Sequence, residues 1–244
     1  MFITGGSRGI GAATAVLAAA RGYDIAFTYN ADAQAARNTA WQVEAAGRRA
    51  LMLHCDVSRE ADIARAFADC DEAFGALDCL VNNVGIVDVA ARVEDMSAER
   101  VRRMFEVNVI GTFVCTREAI QRMSTAKGGR GGSIVNVSSA AARIGSPGQY
   151  VDYAASKGAI DTFTLGLSKE VASSGIRVNA VRPGLIYTDI HASGGIPDRV
   201  DLLKSAVPML RGGTPEEIAN AIIWLASDAA SYCTGTIVDV TGGR

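Results

Sequence analysis

Short apolar segments alternate with helical patterns along the whole chain, and this alternation constrains the fold more than any other feature. Seven segments are apolar at nearly every position, as strands are when helices cover both faces of a sheet. They span residues 2–4, 25–29, 50–55, 77–82, 133–138, 178–181 and 236–240. Helical stretches span 9–21, 32–46, a segment opening at 58, 97–123, 151–174 and 215–227. This order predicts an α/β fold with one doubly wound parallel sheet of about seven strands and helices on both faces.

The ends of the helical stretches carry the expected boundary residues. Gly22 and Gly47 follow two of them, and Thr214 with Pro215 is typical of an N-cap and the first helical position. No change of composition and no repeat divides the 244 residues, so we expect a single domain over 1–244. Segment 187–213 is rich in Gly and Pro and follows the sixth strand, where such sheets bind ligands, so it is predicted to be a substrate lid.

The charge pattern argues against nucleic acid as a partner. The chain has 24 cationic and 26 anionic residues, a formal net charge of −2, and no basic run. Arg100, Arg102 and Arg103 are interleaved with Glu99 and Glu106, which is typical of a solvated helix face.

The cysteines and the hydropathy pattern bear on location. Five cysteines are scattered without a C-x-x-C pair, which favours reduced thiols in a cytoplasmic protein over disulfides, and no ligand cluster predicts a metal. No apolar run approaches the ~18 residues of a membrane span, so no membrane is expected as a partner.

A glycine-rich turn joins the first strand to the first helix. Residues 4–11 read TGGSRGIG, with the spacing T-G-x-x-x-G-x-G. Glycines at such a turn let the backbone approach a pyrophosphate at the helix N-terminus. The spacing differs from G-x-G-x-x-G, yet it has more glycines than a plain turn needs, which favours a phosphate loop.

The end of the second strand bears on which dinucleotide binds. It reads FTYN at 27–30, with no carboxylate before Asp32, whereas an NAD site usually has an acid there for the ribose 2′-OH. Arg8 in the glycine loop is a candidate bidentate donor to a 2′-phosphate, which favours NADP(H) over NAD(H). NAD(H) stays an alternative if Arg8 is only a solvated loop charge.

Two tyrosines in QYVDYAASK, at 149–157, compete for a chemical role. Tyr153 and Lys157 are four residues apart in a helical pattern and so share a face, whereas Tyr150 has Ala154 at that offset. A phenol needs its pKa of about 10 lowered to work at neutral pH, and a lysine at ~4–5 Å supplies about 3–4 kcal/mol toward this. Tyr153 with Lys157 is therefore the predicted acid–base pair.

Six motifs, in this order, resemble those of the short-chain dehydrogenases/reductases over essentially the whole chain. They are TGGSRGIG at 4–11, NNVG at 82–85, VN at 107–108, IVNVSS at 134–139, YAASK at 153–157 and RPGLIYT at 182–188. The resemblance implies a Rossmann-type fold and hydride transfer between a nicotinamide and a carbonyl or secondary alcohol.

The resemblance also implies four catalytic residues. Tyr153 is the acid–base, Lys157 lowers its pKa and binds the nicotinamide ribose, and Ser139 binds the substrate oxygen. Asn108 corresponds to a helix-kink asparagine that holds a water between Lys157 and solvent. The spacing from Ser139 to Tyr153 is one residue longer than the commonest family spacing, so Ser138 stays an alternative to Ser139.

The cofactor residues implied by the resemblance fall into four groups. Gly5, Gly9 and Gly11 correspond to the pyrophosphate loop. Asp56 and Val57 correspond to adenine contacts, and Asn82 and Gly85 to the wall of the adenine-ribose site. Pro183, Gly184, Ile186 and Thr188 correspond to the nicotinamide side. The remaining members of the set are Ser7, Arg8, Ile10, Asn30, Tyr153 and Lys157.

The expected substrate pocket contains Ser139, Arg143, Tyr150, Tyr187 and His191. This mixture suits a ketone, a sugar or a 3-oxoacyl group and selects none of them. The resemblance further implies a homotetramer, with a dimer as the alternative. Family members carry several more residues before the glycine loop than Met1 to Thr4, which leaves a truncated start open. A non-catalytic dinucleotide-binding or scaffold protein is the alternative of a different class.

Overall fold

The computed structural model describes residues 1–244 and joins all the strands into one parallel sheet. The strands are β1 (Phe2–Ile3), β2 (Ile25–Tyr29), β3 (Ala50–His54), β4 (Cys79–Asn82), β5 (Gly132–Val137), β6 (Ile176–Pro183) and β7 (Ile237–Val240). Their order across the sheet is β3-β2-β1-β4-β5-β6-β7. The prediction of a doubly wound, Rossmann-type parallel sheet of seven strands is confirmed.

Helices cover both faces of this sheet. They are α1 (Gly9–Ala20), α2 (Ala33–Ala45), α3 (Glu60–Phe74), α4 (Ala98–Phe105), α5 (Gly111–Met123), α6 (Ala141–Ile144), α7 (Val151–Val171), α8 (Ile190–Ser193), α9 (Arg199–Leu203) and α10 (Pro215–Ala226). Thr214 caps α10 as predicted, since its hydroxyl accepts from the Glu217 amide and the Glu217 carboxylate accepts from the Thr214 amide. No helix is both long and apolar enough to span a bilayer.

The apolar core lies in two layers, one on each face. On one face, small residues of α1 such as Ala15 and Ala18 let the helix approach the sheet beside Ile218 and Ile222 of α10. On the other face, α3, α5 and α7 supply the layer, and the Phe67 ring of α3 stacks on Phe2 at 4.2 Å. Because both faces are buried, most positions of the strands are apolar.

Strands β1 and β4 are neighbours near the centre of the sheet. From β1 the chain order runs outward through β2 to β3, and from β4 it runs outward in the opposite direction through β5 and β6 to β7. In such sheets a crevice opens at this point, beyond the carboxyl ends of the strands. The glycine loop follows β1, NNVG begins at the end of β4, Ser138 and Ser139 follow β5, and Pro183 ends β6. The fold therefore brings the separate sequence motifs to one edge.

The predicted helix over 97–123 is interrupted. Residues Glu106–Ile110 form a π-helical turn between α4 and α5. A π turn widens the helix locally and carries an extra residue, which the apolar periodicity did not reveal. Asn108 lies within this turn and is fully buried.

The interpretation of Arg100 as part of a solvated helix face is wrong. Its side chain is 11% exposed, and its Nε lies 2.8 Å from Oδ2 of Asp152 in α7. Arg102 and Arg103 are exposed as predicted. The partner lies 52 residues away in sequence, so local charge spacing could not show the pairing.

Candidate active site

The glycine loop is held in a conformation that side chains would obstruct. Gly5 and Gly9 have φ of +67° and +55°, in the left-handed region that favours glycine. A Cβ on Gly11 would lie 2.1 Å from the Gly5 carbonyl oxygen. The backbone of α1 therefore passes directly over the loop, as the tight turn predicted.

This loop leaves a row of unused donors. The backbone N–H groups from Ser7 to Gly11 have no acceptor within the protein. They lie at the N-terminus of α1, where the helix dipole favours an anion, and no acidic residue occupies its first turn. The glycine cradle and these donors together fit a pyrophosphate.

Asn83 ties the loop to β4, a role that the sequence analysis missed. Its Nδ2 donates to the carbonyl oxygens of Thr4 and Gly5 at 3.0 and 2.9 Å. The Thr4 hydroxyl accepts from the amides of Asn83 and Val84. Strand alternation was the available signal, because two adjacent asparagines at a strand end face opposite sides of the sheet.

Asn82, assigned above to the adenine-ribose wall, has its side chain in the core instead. Its Nδ2 donates to Thr116 Oγ1 and Asn136 Oδ1, both at 2.9 Å. Asn136 in turn donates to Thr164 Oγ1 at 2.9 Å. This buried polar row links β4 and β5 to α5 and α7, so the Asn82 side chain supports the sheet edge from within.

The residues assigned to the adenosine end lie at the ends of β2 and β3. Asn30 and Arg8 are both exposed, and Arg8 enters no salt bridge. The Asp56 carboxylate accepts from the amide and hydroxyl of Ser58 at 3.0 and 2.7 Å. Val57 is buried beside Gly111, where a Cβ would lie 2.7 Å from the Val57 carbonyl oxygen.

Tyr153 and Lys157 lie one turn apart on α7, as the helical spacing predicted. The ammonium of Lys157 lies 5.8 Å from the centroid of the Tyr153 ring and donates to the Val137 carbonyl oxygen at 2.7 Å. The side chain of Lys157 is buried, and a Cβ on Gly85 would lie 3.2 Å from its Nζ. Gly85 thus lies beside the lysine and makes room for it.

Burial shifts the pKa values of both groups. Loss of water lowers the pKa of Lys157 to about 8, and the charge of Asp161 opposes this shift. Loss of water raises the pKa of Tyr153, and a hydrogen bond with Ser139 opposes that shift. Lys157 is not among the groups that shift the pKa of the resting phenol, so the expectation that it lowers the pKa of Tyr153 stays a prediction.

The two candidate serines have different partners. The Ser139 hydroxyl accepts from the Ala141 amide at 3.1 Å, and its hydrogen bonding opposes the rise in the pKa of Tyr153. Ser138 is buried, and its hydroxyl donates to the Lys157 carbonyl oxygen at 3.2 Å. The geometry therefore places Ser139 beside the phenol and uses Ser138 to attach α7 to β5.

Asn108 contacts α7 through Ser156 and not through Lys157. Its Nδ2 donates to Ser156 Oγ at 3.1 Å, and Ser156 donates to the Tyr153 carbonyl oxygen at 2.7 Å. The Asn108 Oδ1 accepts from the Ile86 amide at 2.8 Å, and its Nδ2 also donates to the Ile86 carbonyl oxygen. The π turn thereby connects α7 with the loop after β4.

The segment after β6 packs back onto the glycine loop. The Gly184 amide, which follows Pro183, donates to the Val240 carbonyl oxygen at 3.0 Å. Thr188 lies against Gly9, where a Cβ would lie 3.3 Å from the threonine methyl. Ile186 is buried, and its carbonyl oxygen lies 2.9 Å from Nε2 of His191. Burial lowers the pKa of His191.

Of the other residues assigned to the substrate pocket, Tyr150 lies directly before α7 and contacts the lid segment 187–213. Its buried hydroxyl donates to the Gly194 carbonyl oxygen at 3.3 Å. Arg143 instead binds the Asp239 carboxylate at 2.7 Å, and the Tyr187 hydroxyl binds Asp201 at 3.0 Å. The polar groups of Arg143 and Tyr187 thus bind carboxylates of this chain, and their place in the substrate pocket stays a prediction.

Known proteins resemble this chain over nearly its full length. A family model described as enoyl-(acyl carrier protein) reductase matches residues 5–244. The uncharacterized oxidoreductase YgfF of Escherichia coli is 54% identical over 243 residues, covering 100% of this chain and 98% of that protein.

Solved structures agree with this match. The 3-ketoacyl-(acyl-carrier-protein) reductase of Brucella melitensis, complexed with NADH, is 32% identical with a TM-score of 0.91, covering 100% of this chain and 96% of that one. A short-chain dehydrogenase of Burkholderia cenocepacia, in complex with NADP, is 32% identical with a TM-score of 0.90, covering 99% and 96%. The chain therefore belongs to the short-chain dehydrogenase/reductase family of NAD(P)-dependent oxidoreductases.

Proposed function

We propose that this protein is an NADP(H)-dependent oxidoreductase that interconverts a carbonyl compound and a secondary alcohol, with Tyr153 as the acid–base. The observation that carries the proposal is the grouping of Tyr153, Ser139 and Lys157 at the carboxyl edge of the sheet. The bound nicotinamide supplies or accepts the hydride. The chain's own residues supply the proton and hold the substrate oxygen.

The hydroxyl groups of Tyr153 and Ser139 are adjacent, so one carbonyl oxygen can accept from both. In the reductive direction the Tyr153 hydroxyl donates its proton to this oxygen as hydride reaches the carbon. The bond from Ser139 stabilises the charge that develops on the oxygen. In the oxidative direction the tyrosinate takes the proton back from the alcohol.

Lys157 stabilises the tyrosinate that remains after proton donation. With a pKa of about 8, its ammonium is still charged at neutral pH. At a separation near that of its Nζ from the Tyr153 ring, 5.8 Å, and an effective dielectric of about 20, one charge supplies about 3 kcal/mol. Lys157 therefore acts on the ionised product of the proton transfer more than on the resting phenol.

The preference for NADP(H) rests on Arg8. This side chain is exposed at the glycine loop without a carboxylate partner, and the end of β2 carries Asn30 where an acid would select NAD(H). Arg8→Ala is expected to weaken NADPH binding about 10-fold and to leave NADH binding within about 2-fold. Arg21→Ala, at the far end of α1, is the matched control. Equal losses for both cofactors would leave NAD(H) as the better assignment.

Tyr153→Phe tests the catalytic role. We expect the rate of carbonyl reduction to fall by at least about 100-fold while the affinity for NADPH, followed by its fluorescence, stays within about 3-fold. An unchanged rate in the variant would contradict the role of Tyr153. If the unmodified protein binds NADPH but reduces no member of a broad panel of ketones, sugars and 3-oxoacyl thioesters, a non-catalytic dinucleotide-binding protein becomes the better description.

We further propose a homotetramer formed through the outer face of α5 and α7. Ile110, Phe113 and Leu165 are exposed there, and the Phe113 ring stacks on Phe163 at 3.8 Å. Contiguous exposed apolar side chains of this kind mark protein interfaces. Phe113→Glu is expected to lower the mass measured by sedimentation equilibrium, and an unchanged mass would exclude this face.

The location and the lid are part of the same proposal. All five cysteines are free thiols and four of them are buried, which suits a reducing compartment such as the cytoplasm. Segment 187–213, which carries α8 and α9, is proposed to be the lid over the substrate within a single domain of 1–244.

A further inference from the structure

Arg199, at the start of α9 in the lid segment, makes contact with the start of α7. Its Nη2 donates to the side-chain oxygen of Gln149 at 2.7 Å, and its guanidinium carbon lies 5.1 Å from the centroid of the Tyr150 ring. Stacking on the ring and the hydrogen bond fix the plane of the guanidinium. Its other N–H donors have no acceptor within the protein.

A cavity of about 300 Å³ opens at this contact. It is lined by Ile144, Ser146, Pro147, Gln149, Arg199 and Arg244. Two arginines thus line the cavity, and none of its lining residues is an aspartate or glutamate. Arg199 is partly buried and enters no salt bridge, unlike Arg143 nearby, whose charge is neutralised by Asp239.

The cavity lies close to the proposed reaction centre along the chain. Gln149 and Tyr150 precede Tyr153 by four and three residues, directly before α7. A substrate whose carbonyl group meets Tyr153 and Ser139 would extend along the Tyr150 ring to reach the Arg199 guanidinium.

We propose that Arg199 binds a carboxylate of the substrate, so that this site acts on oxo acids and the corresponding hydroxy acids. A partly buried guanidinium with a fixed plane and unpaired donors matches a carboxylate with two parallel hydrogen bonds. Ile144, Pro147 and the Tyr150 ring provide apolar surface for the carbon chain between the two polar ends. This inference rests on the proposed carbonyl reduction and names its substrate class.

The experiment compares acids with their neutral methyl esters. Linear methyl-ketone oxo acids, from 4-oxopentanoate to 7-oxooctanoate, and their methyl esters are supplied with NADPH, and kcat and KM are measured for each. In the unmodified protein we expect kcat/KM for the best acid to exceed that of its ester by about 10- to 100-fold, mainly through KM. The best chain length reports the distance from Tyr153 to Arg199.

Variants distinguish recognition of the carboxylate by Arg199 from a general loss of activity. Arg199→Gln is expected to abolish the preference for the acid and to leave kcat/KM for the ester within about 2-fold, whereas Arg199→Lys restores part of the preference. Arg130→Gln removes the same charge at the opposite edge of the sheet, where Arg130 is exposed and pairs with Asp78, and is expected to leave the preference unchanged. A loss for acid and ester alike in Arg199→Gln would show that Arg199 only supports the lid.

Three further outcomes are decisive. Equal kcat/KM for acids and esters in the unmodified protein overturns the inference while the proposed carbonyl reduction stands. A preference that Arg199→Gln leaves intact also overturns it. If neither acids nor esters nor the broader carbonyl panel is reduced, the proposed function fails and this inference fails with it.

Discussion

Arg100 of α4 and Asp152 of α7 form a buried ion pair directly before the proposed catalytic tyrosine. The Arg100 Nε lies 2.8 Å from Asp152 Oδ2, and the other carboxylate oxygen accepts from the Tyr153 amide at 2.9 Å. The same guanidinium donates to the Val89 carbonyl oxygen at 2.7 Å. One arginine thus links the loop after β4, α4 and the first turn of α7.

Removing this arginine should be costly. Arg100→Ala leaves the Asp152 carboxylate, 2% exposed, without its counter-charge, so we expect the free energy of unfolding to fall by about 3–5 kcal/mol. Urea denaturation at pH 7 measures the change. Arg103→Ala, on the exposed face of the same helix, is the control and should cost less than about 0.5 kcal/mol. Similar losses for both variants would mean that the pair contributes little.

The buried lysine predicts how stability changes in alkaline solution. The folded-state pKa of Lys157, about 8, lies below its ordinary value of 10.5. Between these values the unfolded chain holds more protons, so the contribution of Lys157 to the free energy of unfolding rises with pH. The buried charge lowers the free energy of unfolding by its full amount below pH 8, and this cost is gone at about pH 10.5.

Comparison with Lys157→Met isolates this contribution. The free energy of unfolding of the unmodified protein minus that of the variant should rise by up to about 3 kcal/mol between pH 8 and pH 10.5, at about 1.4 kcal/mol per pKa unit. Denaturant titrations at several pH values measure it. A difference that stays flat, or falls, would show that burial does not lower the pKa of Lys157 in the folded protein.

Substitution of the two adjacent asparagines should affect different properties, cofactor affinity in one case and stability in the other. Asn83→Ala removes two hydrogen bonds to the glycine loop, so we expect the Kd for NADPH to rise by about 10-fold or more. Asn82→Ala leaves buried partners on Thr116 and Asn136 unpaired, so we expect about 1–3 kcal/mol loss in the free energy of unfolding. Fluorescence titration and denaturation of both variants check the contrast, and a reversed pattern would contradict the assignment.

Gly11 tests the close approach of α1 to the loop. A Cβ there would lie 2.1 Å from the Gly5 oxygen, so Gly11→Ala should displace the loop and lower both NADPH affinity and stability. Gly166→Ala, in the middle of α7 with no atom within 4 Å of the added carbon, should be neutral or stabilising by up to about 1 kcal/mol. Unchanged NADPH binding by Gly11→Ala would show that the loop can shift without loss.

The strands and most helix boundaries follow from local composition, because a strand buried on both faces is apolar at most positions and a cap consists of a few adjacent residues. Thr214 with Pro215 is the plainest example. Tyr153 and Lys157 were also predictable, since their spacing alone puts them on one helix face. Helix α6 was not predicted, because four residues are too short for periodicity to show.

The sequence alone could not predict contacts between residues that are far apart in the chain. Arg100 was interpreted from its neighbours, while its partner lies on another helix. Arg143 and Tyr187 were assigned to the pocket from their positions in the sequence. In the structure the polar group of Arg143 binds Asp239, and that of Tyr187 binds Asp201. The influence of Lys157 on Tyr153 was derived from Coulomb attraction alone, and the opposing loss of water depends on packing that only the fold supplies.

The π turn at Glu106–Ile110 sets the rotational phase between two helices. Each residue of an α-helix advances the chain by about 100° around the axis. Deleting one residue from the turn would therefore rotate α5, with Cys115 and Ala119 that face the core, by about 100° relative to Arg100 on α4. The π turn thus allows one continuous helical segment to direct Arg100 of α4 at Asp152 and the core residues of α5 at the sheet. A one-residue deletion in this turn should therefore be more damaging than any single substitution in α5.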